Sequence, residues 1–381
     1  MHPNIILEDT TLRDGEQAPG VALSAQKKLK VFDALIGAGV KWLEAGIAAM
    51  GGEEVKALHQ MLERKDEATI VGWNRGVRSD LETTLGLGFR AIHIGLPTSN
   101  VHLKHSVGKD RAWLLQAASD IIKLAKDNDV FVSISAEDVG RTEIDFLQEY
   151  AAHVADAGAD RIRLSDTIGM LDPKGYASRV KAVKEASDID VQCHCHNDYG
   201  LAVANTLAGL EAGARYFHVC VNAMGERAGM PDLAQMVLAL RDFHSVDVGI
   251  DTTKLWNLSR TLSEVTGQSF PPWQPIVGDN VFAHESGIHV NGVIKSGKTF
   301  EPIDPEDVGG RRRLVLGKHS GRATLKYHLE QAGVTVNDDI LQGCLDQVRS
   351  VSIATGAEVS VAKLQEIYRV AAQHSQPEGV N

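Results

Sequence analysis

Two histidines in His194-Cys195-His196 have the clearest potential for chemistry in this chain. They end an apolar, strand-like run, and residues two apart in a β-strand point to the same side, so both imidazoles can face one ion. Near the N-terminus, Arg13 and Asp14 follow another short apolar run. Imidazole and carboxylate are common ligands of divalent metals. If the first and seventh strands of a closed barrel bring them together, Asp14, His194 and His196 would hold a metal ion with positions left open for substrate.

A metal site of this kind suits a 2-oxo acid, whose keto and carboxylate oxygens can bind the ion together while the ion polarises the carbonyl. Arg13 is placed to stabilise the alkoxide that forms when a carbon nucleophile adds to that carbonyl. The nucleophile needs a base, for which Glu137 and His289 are the candidates. The hydroxyl of Thr167 either binds the substrate carboxylate or caps the following turn, and both interpretations stay open.

These residues require a fold that collects the ends of many strands. Eight apolar, strand-like runs, each followed by a helical pattern, recur at roughly thirty-residue spacing over the first ~240 residues. This pattern predicts an α/β fold of the TIM (β/α)8 barrel type, in which the C-terminal strand ends share one pocket. A doubly wound open sheet is the alternative, but the glycine-rich phosphate turn expected after an early strand is not found in the sequence. Polar residues occur at or near every predicted strand end: Arg13, Asp14, Glu44, Trp73, Asn74, Arg75, His93, Ser135, Glu137, Asp166, Thr167, His194, His196, Asn197, Asp198 and Asn222.

The strand–helix alternation stops after about residue 245, where proline-rich and glycine-rich stretches follow. We predict a catalytic TIM barrel over residues 1–265 and a linker with a lid-like subdomain over residues 266–325. A small helical C-terminal subdomain is predicted over residues 326–381.

The composition excludes several functional classes. The net charge of −11 and the lack of a basic stripe argue against a nucleic-acid partner. No apolar stretch is long enough to cross a bilayer, and the N-terminus shows no signal-peptide pattern. Four cysteines without a disulfide framework favour a reduced, cytoplasmic protein.

Four motifs resemble the signatures of the DRE-TIM metallolyases, in particular of the Claisen-condensing branch that includes homocitrate, 2-isopropylmalate and citramalate synthases. They are residues 9–17 (DTTLRDGEQ), 194–198 (HCHND), 225–229 (GERAG) and 284–289 (HESGIH). Four further stretches, 47–51, 165–173, 284–290 and 314–322, are most similar to homocitrate synthase of the nitrogen-fixation type.

The resemblance implies an acyltransferase that condenses acetyl-CoA with 2-oxoglutarate to give homocitrate and CoA, using a Mg, Mn, Zn, Fe or Co ion. It also implies a homodimer in which the segment after the barrel reaches over the neighbouring barrel. By position it makes Asp14, His194 and His196 metal ligands, gives Arg13 the polarising role, and assigns enolisation of the acetyl group to Glu137 and His289. It also makes Glu44 and Thr167 contacts of the oxo acid. Further candidate substrate contacts, at the ends of other predicted strands, are Ser135, Arg75 and His93.

Two departures from the family pattern concern the metal and the substrate. Met230 replaces the asparagine that isopropylmalate-type enzymes use at the metal site, so three protein ligands are expected. Ser133 replaces the arginine with which lysine-pathway homocitrate synthases hold the distal carboxylate, so Arg75, Asn74 or His93 would have to bind it. A 2-isopropylmalate or other 2-alkylmalate synthase therefore remains an alternative. A lyase or aldolase of the same superfamily, or an inactive barrel that senses a metabolite, is less favoured.

Overall fold

Eight parallel strands close into a barrel in the computed structural model, which describes residues 1–374. Each strand pairs with its neighbours in chain order, and β1 pairs with β8 in a register that places Ile6 opposite Tyr216. The predicted TIM barrel is thus confirmed. The strands are β1 (Ile6–Asp9), β2 (Trp42–Gly46), β3 (Thr69–Arg75), β4 (Ala91–Gly95), β5 (Phe131–Glu137), β6 (Arg161–Asp166), β7 (Asp190–Cys195) and β8 (Tyr216–Val219).

Helices between the strands form the outer layer of the barrel, as the apolar periodicity predicts. Several start at a side chain that accepts a backbone N–H, such as Ser24 before α1, Asp110 before α5 and Asp172 before α7. The helices of this unit are α1 (Ala25–Gly37), α2 (Gly52–Leu62), α3 (Arg78–Gly86), α4 (Asn100–His102), α5 (Arg111–Lys126), α6 (Ile144–Asp156), α7 (Pro173–Ala186), α8 (Ala202–Glu211), α9 (Leu233–His244) and α10 (Leu255–Thr266).

Alternation along the strands separates an apolar outer face from a polar interior. Cys193 of β7 is fully buried, and its sulfur lies 2.5 Å from where a Cβ on Gly209 of α8 would be, so it faces the helix layer. Its strand neighbours Gln192 and His194 contact residues of other strands inside the barrel. The interior is therefore filled with hydrogen-bonding and charged groups.

A second unit begins at Pro271. It contains the short parallel pair β9 (Ala283–His284) and β10 (Arg313–Leu314), and the helices α11 (Gly287–Lys295), α12 (Arg322–Gln331), α13 (Leu341–Thr355) and α14 (Val361–His374). Its apolar core includes Leu325, Leu345 and Leu364. The subdomain limits within this unit stay predictions, and residues 375–381 of the predicted C-terminal subdomain lie outside the described residues.

No helix in residues 1–374 is both long and apolar enough to span a membrane.

Candidate active site

The predicted metal ligands converge at one end of the barrel. His194 and His196 lie at the end of β7, Asp14 follows β1, and β8 is the single strand between β7 and β1. One potential ligand atom from each residue lies within 4.8 Å of the other two, and His194 Nε2 is 3.6 Å from Asp14 Oδ2. All three side chains are buried.

Unsatisfied polar atoms show that this cluster fits a cation. Asp14 Oδ1 and His196 Nδ1 are buried and have no hydrogen-bond partner within the described part of the chain. Leaving such atoms unpaired costs free energy, and a carboxylate with two imidazoles is a donor set that divalent metals accept. The three residues could thus hold a divalent metal ion, and their role as metal ligands stays a prediction.

The turn after β1 fixes Asp14. The backbone N–H groups of Arg13, Asp14 and Gly15 all donate to the carbonyl of Thr10. The Thr10 hydroxyl donates to Glu44 Oε1, which joins this turn to β2.

The loop after β8 supports the same aspartate from the other side. A Cβ on Gly225 would lie 3.2 Å from Asp14 Oδ1 and 3.1 Å from Met230 Cγ, so a larger residue here would require Asp14 or Met230 to shift by a few tenths of an ångström. Arg227, with a φ of 54°, binds Asp198 with two nitrogens and the carbonyl of Thr167, which ties the loop to the ends of β6 and β7. Met230 is fully buried.

Arg13 is held by two carboxylates beside the cluster. Its Nε donates to Glu44 Oε1 at 2.5 Å, and its Nη1 lies 2.9 Å from Asp14 Oδ2. Burial alone would lower the pKa of Arg13, but the charges of Glu44 and Asp14 outweigh it and raise the pKa. The guanidinium therefore stays charged and fixed in direction. Glu44 in turn binds Arg163 of β6, and the charges of Arg13 and Arg163 overcome burial to hold the pKa of Glu44 well below its usual value.

Glu137 lies at the end of β5, next to Trp73 of β3. Oε1 of Glu137 and the indole of Trp73 are 2.7 Å and 2.8 Å from where a Cβ on Gly95 would lie, so the two side chains meet over this glycine. Arg13 stands 5.7 Å from the centroid of the same indole. Burial raises the pKa of Glu137, which makes its carboxylate a stronger base than an exposed glutamate.

His93 and Ser135 form a closed hydrogen-bonded group inside the barrel. Nδ1 of His93 contacts the Ser133 hydroxyl at 2.9 Å, and Nε2 contacts the Ser135 hydroxyl at 2.6 Å. All three residues are buried, and burial lowers the pKa of His93 so that its imidazole is neutral. The group is therefore polar and uncharged, and the contact of His93 and Ser135 with substrate stays a prediction.

Thr167 has a structural partner that the sequence did not reveal. Its hydroxyl accepts the backbone N–H of Asp138 and donates to the carbonyl of Ser165, so it joins the ends of β5 and β6. The turn that follows is capped by Asp166, which accepts the backbone N–H groups of Met170 and Leu171. Of the two interpretations of Thr167, capping of this turn is therefore wrong, whereas its contact with substrate stays a prediction.

Arg75 does not offer a free guanidinium to the site. Its side chain is 67% exposed and binds both carboxylate oxygens of Asp80, in the first turn of α3. This ion pair occupies one of the three groups that were candidates for the second carboxylate of the substrate, because the strand ends at Arg75 and the next helix supplies an anion close by. We therefore exclude Arg75 from the proposed substrate contacts.

His289 belongs to the second unit, on α11. Its imidazole stacks on Phe300, with the ring centroids 4.0 Å apart and the planes at 17°. The neighbouring His284 is bound to Glu301, which also pairs with Arg312. The catalytic role of His289 stays a prediction.

Several ionisable residues of the barrel interior were not predicted from the sequence: Glu8 of β1, Arg161 and Arg163 of β6, and His218 of β8. All are at most 1% exposed. Arg161 Nη1 pairs with Glu8 Oε2 at 2.6 Å, and Arg163 pairs with Glu44. The available signal was charged residues at alternate positions of a strand, as with Arg161 and Arg163 in 161–166 (RIRLSD).

Comparison with known proteins gives family matches along most of the chain. The HMGL-like family model matches residues 4–262, and the "homocitrate synthase post-HMGL domain-like" model matches residues 276–355. A 2-phosphonomethylmalate synthase of Streptomyces rubellomurinus is 60% identical over 98% of this chain and 100% of its own length.

Two relatives with lower sequence identity are named as other synthases. 2-Isopropylmalate synthase 2 of Caldanaerobacter subterraneus is 40% identical, with 96% of this chain and 95% of the relative covered. Homocitrate synthase 1 of a Nostoc species is also 40% identical, with coverage of 96% and 97%. Among solved structures, an HMG-CoA lyase of Bacillus subtilis superposes with a TM-score of 0.65 at 17% identity, covering 71% of this chain and 96% of that one, which supports the barrel fold.

These relatives are synthases that join an acyl-CoA to a 2-oxo acid, and enzymes of this kind use a divalent metal ion. The chain therefore belongs to the HMGL-like family and, within it, to the Claisen-condensing branch of the DRE-TIM metallolyases that its motifs predicted.

Proposed function

We propose that this enzyme condenses acetyl-CoA with a 2-oxo acid and then hydrolyses the thioester. A base removes a proton from the acetyl methyl group, and the resulting carbon attacks the keto carbon of the oxo acid. The keto oxygen takes up a proton and becomes a hydroxyl, and water cleaves the thioester to release CoA and a 2-substituted malate. The observation that carries this proposal is the buried convergence of Asp14, His194 and His196 beside Arg13.

Asp14, His194 and His196 would hold the metal ion, which supplies Lewis-acid polarisation of the keto group. Arg13 places a permanent positive charge next to the ligand Asp14, where negative charge develops on the keto oxygen. Because Glu44 and Asp14 fix the guanidinium before substrate binds, little reorganisation is needed as the carbon–carbon bond forms.

Glu137 is the proposed base of the barrel. Its carboxylate faces the space over Gly95 beside Trp73, and its raised pKa favours proton abstraction from a weakly acidic methyl group. His289 is the second candidate, on the other unit.

The acceptor that we propose is a short 2-oxo acid with an anionic side chain. A 2-substituted malate made from acetyl-CoA keeps the side chain of the oxo acid at C2, so a phosphonomethyl product corresponds to 2-oxo-3-phosphonopropanoate. The 60% identity to a 2-phosphonomethylmalate synthase supports this acceptor first. The buried hydroxyls of Ser133 and Ser135 and the imidazole of His93 form a polar wall, which disfavours a branched apolar side chain.

2-Oxoglutarate, which gives homocitrate, is the second candidate. It is supported by the homocitrate-synthase-type domain at residues 276–355 and by the Nostoc relative. The serine at position 133 does not separate the two candidates, since its hydroxyl binds His93 and Arg161 and brings no charge for either a distal carboxylate or a phosphonate.

A thiol-release assay with acetyl-CoA and a panel of 2-oxo acids tests the proposal. The panel contains 2-oxo-3-phosphonopropanoate, 2-oxoglutarate, 2-oxoisovalerate and pyruvate, and mass spectrometry identifies each product. We expect the highest kcat/KM with the phosphonate, and no turnover in a His194→Ala control. Preference for 2-oxoglutarate would select the second candidate, turnover with 2-oxoisovalerate alone would refute the anionic acceptor, and no thiol release with any acid would refute condensation.

We also propose that the enzyme is a cytoplasmic homodimer, as the family resemblance implies. Light scattering after size-exclusion chromatography should give about twice the mass of the 41.2 kDa chain.

A further inference from the structure

A column of buried side chains runs down the barrel from the proposed metal site. His194 Nδ1 lies 2.8 Å from His218 Nδ1, His218 Nε2 lies 2.9 Å from Glu8 Oε1, and Glu8 Oε2 lies 2.6 Å from Arg161 Nη1. Four strands contribute one residue each: β7, β8, β1 and β6. None of the four side chains is more than 5% exposed.

Three aromatic rings hold the far end of this column. The guanidinium carbon of Arg161 is 5.7 Å from the ring centroid of Trp42, 5.4 Å from that of Phe131 and 4.7 Å from that of Tyr216. The Trp42 ring packs edge-on against the other two, at centroid distances of 5.3 Å and 5.5 Å. A cation enclosed by aromatic faces and paired with a carboxylate is fixed in position, so Glu8 is fixed as well.

The contacts in the column favour one direction for its hydrogen bonds when both imidazoles are neutral. Glu8, paired with Arg161, is a carboxylate, so His218 donates its Nε2–H to it at 2.9 Å. Arg163 Nη2 lies farther from the same nitrogen, at 3.3 Å, and a lone pair on Nε2 that accepted from it would also face the carboxylate oxygen at the shorter distance. His218 Nδ1 then carries a lone pair and accepts the Nδ1–H of His194. His194 consequently turns the lone pair of Nε2 toward Asp14 Oδ2, 3.6 Å away, as a metal ligand requires.

We propose that His218 and Glu8 are positioning residues that fix the ring orientation and tautomer of His194, so that its Nε2 is presented to a divalent cation. The inference rests on the metal site of the proposed function and adds two residues that touch neither substrate nor metal.

A metal ion within the column itself is the competing interpretation, since Glu8, Glu44 and His218 also bring ligand atoms within 4.8 Å of one another. Arg161 and Arg163 already pair with these two carboxylates. A divalent cation placed there would face two buried guanidinium groups, so the charges favour the column as a support and not as a second site.

Two substitutions of similar size separate the contacts of His218. In His218→Asn, the amide oxygen takes the place of Nδ1 and can accept the proton from His194, whereas the contact with Glu8 is lost. In His218→Gln, the terminal amide takes the place of Nε2 and keeps the contact with Glu8, whereas the acceptor for His194 is lost. Both remove the same ring, so a general loss of packing affects both variants alike.

The measurement is the dissociation constant of Co²⁺ or Mn²⁺ by isothermal titration calorimetry, without substrates, together with the visible spectrum of the Co²⁺ protein. We expect His218→Gln to bind metal about 10–100-fold more weakly than the unaltered protein, the usual effect of losing a partner of a metal-bound histidine. His218→Asn should stay within about threefold of the unaltered protein. His93→Ala removes another fully buried imidazole that bonds only serines and should leave metal affinity unchanged.

Equal metal affinity in the Asn and Gln variants, whether reduced or unchanged, would overturn the positioning role of His218. A loss in His93→Ala as large as that in His218→Gln would overturn it too, because the effect would then be general loosening of the barrel. Failure of the unaltered protein to bind metal would overturn the site itself, whereas metal binding without thiol release would leave this inference standing and refute only the proposed reaction.

Discussion

Replacing Arg161 by methionine should destabilise the barrel strongly, because it leaves the buried carboxylate of Glu8 with only the more distant guanidinium of Arg163, 3.6 Å away, as a cation. Both side chains are 0% exposed, and their ion pair is 2.6 Å long. Removing one partner of such a buried pair costs about 3–5 kcal/mol, since the remaining charge has lost its water as well as its partner. Methionine keeps apolar contact with the three aromatic rings, so little of this loss should come from packing.

Urea denaturation followed by far-UV circular dichroism measures this loss. Arg215→Met is a matched control: Arg215 also pairs with an aspartate, Asp190, and lies over the ring of Tyr216, but its side chain is 30% exposed. We expect the control to lose less than about 1 kcal/mol, as surface ion pairs do. The double variant Glu8→Gln/Arg161→Met should lose about 1–3 kcal/mol less than the sum of the two single variants, because the charge left unpaired in each single variant is absent.

The pH dependence gives a second check with a defined sign. Burial raises the pKa of Glu8, but Arg161 and His218 outweigh it and lower the pKa below the usual 4.5. In the unaltered protein this contribution to stability is therefore present above about pH 4.5 and is lost as the pH falls below that value. Without Arg161, burial should raise the pKa above 4.5, and the variant should gain stability as the pH falls toward 4.5. The reasoning is refuted if the free energies of unfolding of the two proteins differ by less than about 1 kcal/mol. It is also refuted if this difference grows as the pH falls from about 8 to about 5.

Three further substitutions test the proposed site. Arg13→Gln should lower kcat about 10²–10³-fold by removing the charge that stabilises the developing alkoxide, and a steady-state assay with an unchanged kcat would contradict this role. Glu137→Gln should lower kcat about 10²–10⁴-fold. Because burial raises the pKa of Glu137, the acid limb of the pH profile of kcat/KM in the unaltered enzyme should lie above the usual glutamate pKa of 4.5. This limb should be absent from the profile of the variant. Gly225→Ala should weaken metal binding several-fold in calorimetry, because the added Cβ would lie 3.2 Å from Asp14 Oδ1 and 3.1 Å from Met230 Cγ. Unchanged metal affinity would show that the loop after β8 accommodates the methyl group without displacing Asp14.

The barrel was predictable because each strand begins a repeated unit whose apolar pattern does not depend on distant residues. Asp14, His194 and His196 could be grouped from the sequence for the same reason, since closing eight strands brings the ends of the first and seventh near each other. The distances between these three side chains depend on the packing of the whole barrel and could not be predicted from the sequence.

Side-chain partners were much harder to predict than strand positions. The link between Arg75 and Asp80 depends on how the chain enters α3, and the contact of Thr167 with Asp138 depends on two neighbouring strand ends. His218 and Glu8 were missed because each lies in a short strand whose other residues are mostly apolar. A charged residue at an inward position of a barrel strand was the available signal, but choosing its partner requires the register of strands far apart in the chain.

The aromatic enclosure of Arg161 has an evolutionary consequence. Four side chains pack against one another here: Trp42, Phe131, Tyr216 and Arg161. A substitution at any of these positions therefore removes packing contacts of the other three. Ser135 lies at the edge of this interdependent set, in contact with His93 and not with the guanidinium. With Ser135 and His93 as the proposed acceptor contacts, new acceptor preferences should arise by substitutions around these two residues. Trp42, Phe131, Tyr216 and Arg161 should stay unchanged among enzymes that differ in the oxo acid they take.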